Sequence, residues 1–155
     1  MKYSVQTQFG TFTTRETIRK FTHVVITRGL SVVEIQRRAS EKLAYTREQV
    51  RRYVWAHALA ESTGQNVSFE GNQPVINDYG YPAEMWLEWL DSYRREIDES
   101  PERTLNEVKA ARAAAHSAYA WASSLELARG RAYEAKNYGH ADVLVIDVVT
   151  GKAVL

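Results

Sequence analysis

The chain has 155 residues, enough for one domain around a single core, and its 45% hydrophobic and 25% charged fractions are those of a globular chain rather than a disordered one. It contains no cysteine, which excludes a disulfide framework, a thiolate metal site and a cysteine nucleophile. Its net charge of +1 conceals three blocks: residues 1–60 carry eleven Lys/Arg against four acids, residues 61–110 four against eleven, and residues 111–155 five against four. Clustering of this kind bears on partners rather than on fold, because each block attracts a surface of opposite sign. No apolar run approaches the roughly 20 residues of a membrane span, and no apolar leader follows Met1, so the expectation is a cytoplasmic protein with no membrane partner.

Tyr3, Val5, Thr7 and Phe9 alternate with polar residues, the period of a half-buried strand. Gly10 interrupts the run, and Phe21 to Thr27 is β-branched and aromatic as strands prefer. The two segments are expected to form a hairpin with a long basic connection. Ser31-Val32-Val33-Glu34 then matches a capping box, with Val32, Ile35, Ala39 and Leu43 on one helical face. Thr46-Arg47-Glu48-Gln49 repeats the box after Ala44-Tyr45, and Val50, Tyr53, Val54 and Ala58 follow at helical spacing. The expectation over 31–64 is therefore helix, tight turn, helix.

Gly71, Pro74 and Gly80 mark a loop or short hairpin across Val67-Ser68-Phe69 and Val75-Ile76. Pro82 suits the first turn of a further helix carrying Trp86, Trp89, Leu90, Tyr93 and Ile97. Ser100-Pro101 reads as a cap and first turn again. From Glu102 to about Asn137 the chain is alanine-rich and helix-prone. As one helix it would run roughly 54 Å at 1.5 Å per residue, so a break is expected near Ser117–Ser124 or at Gly130. Asp142 to Val149 is the clearest strand, its continuous apolar run implying a central position, and Thr150-Gly151-Lys152 turns into a short last strand.

The fold expected is α+β in a single domain. A small sheet from the N- and C-terminal strands packs on a long Ala-rich helix; residues 1–30 and 101–155 form this core, and 31–100 are a helical insertion with a helix-turn-helix-like pair.

Gly10-Thr11-Phe12-Thr13-Thr14-Arg15 and Arg19-Lys20-Phe21-Thr22-His23-Val24-Val25-Ile26 resemble segments of small uncharacterised accessory proteins of actinobacterial phages. In those proteins a Thr-His-Val-Val strand precedes a Trp/Ser/Ala helix and a valine-rich strand; Trp121-Ala122-Ser123-Ser124, Leu127-Ala128-Arg129 and Asp142 to Val148 match that second half. The resemblance covers about half the chain, which departs from it by the residues between, about 31–110. It implies a phage or prophage accessory protein acting in a host cytoplasm and carries over no activity.

Two surfaces are candidates for function. The basic pair over 31–64 places Arg37, Arg38, Arg47, Arg51 and Arg52 where a helix-turn-helix contacts phosphates and bases of duplex DNA. Against this reading stand the lack of a preceding helix, a turn without glycine, and the ordinary alternative of solvated arginines paired with Glu34, Glu41 or Glu48. The acidic helix after Pro82 carries Trp86 and Trp89 beside Glu84 and Glu88, the pattern of an interface with a host protein or complex; the spacing of the tryptophans equally fits a core. His23, His57, His116 and His140 are scattered, with no metal-ligand spacing, phosphate loop or nucleophile elbow, so no catalytic residue, metal or cofactor is expected. A non-catalytic binder of a macromolecular partner, protein ahead of DNA because the chain is nearly neutral, is the resulting expectation.

Overall fold

The computed structural model describes residues 1–155 and is α+β. The chain divides into two compact units: unit 1 comprises Met1–Gln36 and Glu107–Leu155, unit 2 Arg37–Asn106.

Unit 1 is built on a three-stranded antiparallel sheet. Strand β1 (Ser4–Thr7) pairs with β2 (Gly10–Thr13), so Gly10, at φ 126°, ends a tight turn rather than merely interrupting a long strand. The expected pairing of the first strand with residues 21–27 does not occur. Strand β3 (His23–Thr27) instead lies between β6 (Ser117–Ala122) and β7 (Leu144–Asp147), so β3 holds the centre and β7 an edge.

The continuous apolar runs of β3 and β7 arise from burial on both faces. Val24, Ile26 and Ile146 pack against Val5 and Phe12 of the β1–β2 hairpin. Val25 and Val145, pointing the other way, pack against Ala128 and Ala132 of α3 (Leu125–Asn137). Beyond β7, the last residues return as expected: Val154 N–H donates to the Val145 carbonyl at 2.8 Å, and Ala153 bridges Ile146. Gly151 makes that turn at φ 69°, where an added Cβ would lie 2.2 Å from the Gln6 carbonyl oxygen.

The alanine-rich segment breaks near Ser117–Ser124 as expected, but the break is a strand rather than a bend. Its first part completes α2 (Ala83–Ala113), its middle is β6, and its last part is α3, capped by the Ser124 hydroxyl accepting from Leu127 N–H at 3.2 Å. Alanine is a poor strand residue, yet pairing with β3 overrides that preference. A bulge opposite Val25 and Ile26 absorbs Tyr119 and brings it to the α3 face. Three small side chains, Ala128, Ala132 and Ala135, let α3 approach the sheet closely.

Unit 2 contains most of α1 (Val32–Thr63), the hairpin β4 (Val67–Glu70) and β5 (Gln73–Ile76), and about the first three-quarters of α2. Helix α1 begins as expected, with Glu34 N–H donating to the Ser31 hydroxyl at 3.1 Å, but it continues without a turn through Ala44 and Tyr45. Thr46, expected to cap a second helix, is buried and donates its hydroxyl to the Lys42 carbonyl at 2.8 Å, an interior i−4 bond. There is no helix-turn-helix. Ser100-Pro101 likewise lies inside α2; proline has no amide hydrogen, so the Ile97 carbonyl loses its helical donor there. Lys42 meets Glu96, and Tyr53 meets Trp86, Trp89 and Tyr93, which sets α1 and α2 antiparallel.

Candidate functional site: an aromatic pocket beside an acidic helix

The antiparallel pairing of α1 and α2 brings one aromatic residue of α1 opposite three of α2. Trp86, Trp89 and Tyr93 follow at three- and four-residue intervals and share one face of α2, and Tyr53 projects toward them from α1. The loop before α2 contributes Tyr81. Its amide donates to the Val67 carbonyl at 2.8 Å and its carbonyl accepts from Val67 N–H at 2.9 Å, tying it to β4 as a third, one-residue strand. Gly80 allows this approach, since a Cβ there would lie 2.3 Å from the Val67 carbonyl oxygen. The Tyr81 carbonyl also accepts from the Trp86 indole Nε1 at 3.1 Å, fixing that ring.

These rings meet at steep angles. Tyr81 and Trp89 are 4.9 Å apart at 86°, Trp86 and Trp89 5.2 Å at 81°, and Tyr53 and Tyr93 5.1 Å at 79°. Edge-to-face contact is the favoured arrangement of aromatic pairs, and here it builds walls rather than a stack. The walls enclose a concavity of about 360 Å³ lined by Tyr53, Tyr81, Trp86, Trp89, Ser92 and Tyr93. Burial, then a hydrogen bond with Tyr53, raises the Tyr93 phenol above its ordinary pKa.

Of the residues expected to bind a partner, Trp86 is only 4% exposed and belongs to the core with Ala56, Ala60 and Val67. Trp89 is half-buried at the pocket wall, while Glu84 and Glu88 are exposed. The surface is thus a pocket with one buried tryptophan as its base, not two projecting indoles. Tyr53, Tyr81 and Tyr93 were not among the expected site residues. Tyr53 and Tyr93 were legible as helical apolar positions, but their meeting depends on the α1–α2 register.

The arginines expected at DNA are differently engaged. Arg37 pairs with Glu41, and Arg51 donates to Glu48 at 2.7 Å. Arg52 is partly buried, its guanidinium 4.3 Å from the Phe69 ring centroid and its NH1 3.1 Å from Gln49 Oε1. Arg38 and Arg47 are exposed on α1. With α1 unbroken, no recognition helix is set off by a turn, so these residues are not carried on the expected helix-turn-helix.

Unit 1 holds a second, wider groove of about 930 Å³, where Phe21 and Trp121 lie between Arg19, Lys20 and Arg131 and the acids Glu126 and Glu134. Arg131 already donates to Glu134 at 3.1 Å, so the groove's charges are mixed and partly satisfied internally. The histidines occupy separate local contacts. His140 Nδ1 is 2.9 Å from the Thr27 hydroxyl, His116 Nε2 3.0 Å from the Asp142 carbonyl, and His57 Nε2 3.2 Å from Glu61. No helix is long and apolar enough to cross a membrane.

The chain matches no protein-family model, no curated protein and no solved structure.

Proposed function

We propose that this is a non-catalytic binding protein whose target is another protein, engaged through the acidic aromatic surface of unit 2. The observation that carries the reading is the open pocket of Tyr53, Tyr81, Trp86, Trp89 and Tyr93. It lies beside the stretch of α2 from Ala83 to Tyr93, which holds Glu84, Glu88 and Asp91 and no Lys or Arg. Tyr and Trp supply large contact area at low conformational cost, and interface hot spots concentrate in pockets of such residues behind a polar rim. Glu84, Glu88 and Asp91 lie on the exposed face of the same helix, where they favour a basic partner and disfavour nucleic acid. A phage-type accessory role, implied by the resemblance of the Thr22–Ile26 and Trp121–Ser124 segments, is part of the same proposal.

The test is affinity capture from cells that carry the gene, comparing wild type with Glu84→Lys/Glu88→Lys and with Arg47→Ala/Arg51→Ala. The proposal expects one protein species held by wild type and by the arginine variant but lost on charge reversal of α2. Capture that depends on the arginines and ignores the α2 reversal contradicts it.

A further inference from the structure

The aromatic pocket has a chemistry narrower than "protein-binding". Five electron-rich rings surround it, and ring faces carry the negative end of the aromatic quadrupole. The Trp86 indole N–H is directed to the Tyr81 carbonyl and so is already spent. No Lys or Arg lines the pocket. Nearby cations have other partners: Arg52 lies over Phe69, and Lys42 reaches Glu96 at 2.7 Å. The pocket is therefore an aromatic concavity with no Lys or Arg in its lining, the Arg52 guanidinium behind it acting on Tyr93 while stacked on Phe69. Ser92 lines it, and Glu88 lies one helical turn before Ser92 on the same strip of α2.

Resting on the protein-binding reading above, we infer that this pocket receives an arginine side chain presented by the partner. A guanidinium is planar, stacks on aromatic faces and is more weakly hydrated than an ammonium, so it loses less on entering such a site. It also brings N–H donors on its edge, for which the Ser92 hydroxyl and the tyrosine hydroxyls are acceptors and Glu88 a nearby counter-charge. A quaternary ammonium has no N–H donor to use them. The chain itself contains the same contact one layer away, in Arg52 over Phe69.

The four tryptophans allow a direct test on the full chain, because each indole N–H gives its own signal: Trp86 and Trp89 report the pocket, Trp55 the outer side of α1, and Trp121 unit 1. The probes are N-acetyl-arginine methylamide, its neutral citrulline counterpart, and tetramethylammonium, titrated at constant ionic strength. A ligand of this size binds with a dissociation constant of about 1 mM when its contacts are good. The expected result is a saturable shift of the Trp86 and Trp89 signals with the arginine compound, at least about fivefold weaker with citrulline, Trp55 and Trp121 staying in place. Glu88→Gln, at an exposed position, weakens binding about threefold without altering the remaining spectrum. Equal binding of citrulline, tighter binding of tetramethylammonium, uniform shifts of all four indoles, or no shift up to about 50 mM would each overturn the inference. Those results leave the charge-reversal capture untouched, so failure of the arginine pocket and failure of the protein-binding surface are separately visible.

Discussion

Arg52 of α1 lies over Phe69 of β4, its guanidinium carbon 4.3 Å from the ring centroid, while its Nε is buried without a hydrogen-bond partner. The contact fastens the β4–β5 hairpin to the helix that carries Tyr53, so this arginine serves the architecture behind the pocket. Arg52→Ala is expected to cost about 1 kcal/mol, and Arg52→Lys to recover only part of it, since an ammonium lacks the planar fork. Urea unfolding of both variants, followed by tryptophan fluorescence, checks the order.

Arg28 is a second structural arginine in the basic block. Its Nε donates to the Ala114 carbonyl and one NH2 to the Arg112 carbonyl, both at 2.9 Å, while NH1 reaches Asp142 at 3.0 Å. It thereby satisfies carbonyls at the C-terminus of α2 and complements the helix dipole. Arg28→Ala is expected to destabilise the protein by about 2 kcal/mol, read as a lowered urea midpoint.

The uninterrupted course of α1 bears on DNA. Random-sequence duplex DNA at low salt is expected to show no anisotropy increase with wild type, and none with Arg47→Ala/Arg51→Ala. Binding that collapses with added salt and disappears in the variant would instead place the exposed arginines of α1 on phosphates.

Asp147 gives an acid dependence. Its carboxylate accepts from Thr150 N–H at 3.0 Å and Val149 N–H at 2.8 Å, and these bonds hold its pKa below the ordinary carboxylate value. The folded pKa lies below the unfolded one, so the contribution is complete above the unfolded value of about 4 and is lost as pH falls through the folded pKa. Asp147→Asn is expected to flatten the fall of stability in that window, measured by urea unfolding at stepped pH.

Tyr93 gives the opposite dependence at high pH. Its raised pKa favours the neutral phenol in the folded state, so its contribution is intact below about 10 and lost as pH rises through the folded value. In an ultraviolet titration, Tyr93→Phe is expected to remove a tyrosine that ionises above the ordinary range and to reduce the alkaline loss of stability.

Local signals carried much of this architecture. Ser31 and Glu34 mark the true start of α1, Pro82 the start of α2, and Gly71 and Pro74 the β4–β5 hairpin. What escaped local reading depended on distant pairing. Thr46 and Ser100-Pro101 have the composition of helix starts, but the hydroxyl of Thr46 finds the Lys42 carbonyl, and α2 runs through Pro101 at the loss of one backbone bond. The strand at Ser117–Ala122 has helix-favouring alanines and becomes a strand only because β3 offers it an edge. At the candidate site, Trp86 and Trp89 were legible as one face of α2 and Glu84 and Glu88 as its exposed acids; Tyr53 and Tyr81 join the tryptophans only through the α1–α2 register and the Val67–Tyr81 bridge.

The central claim, a protein partner on the acidic aromatic side of unit 2, is tested most directly by photo-crosslinking in living cells. A benzophenone side chain is placed in turn at Glu88, beside the pocket on α2, and at Arg51, on the outer side of α1. The account predicts one discrete protein adduct from position 88 and none from position 51. An adduct from position 51 alone, or crosslinks to nucleic acid from either position, contradicts it.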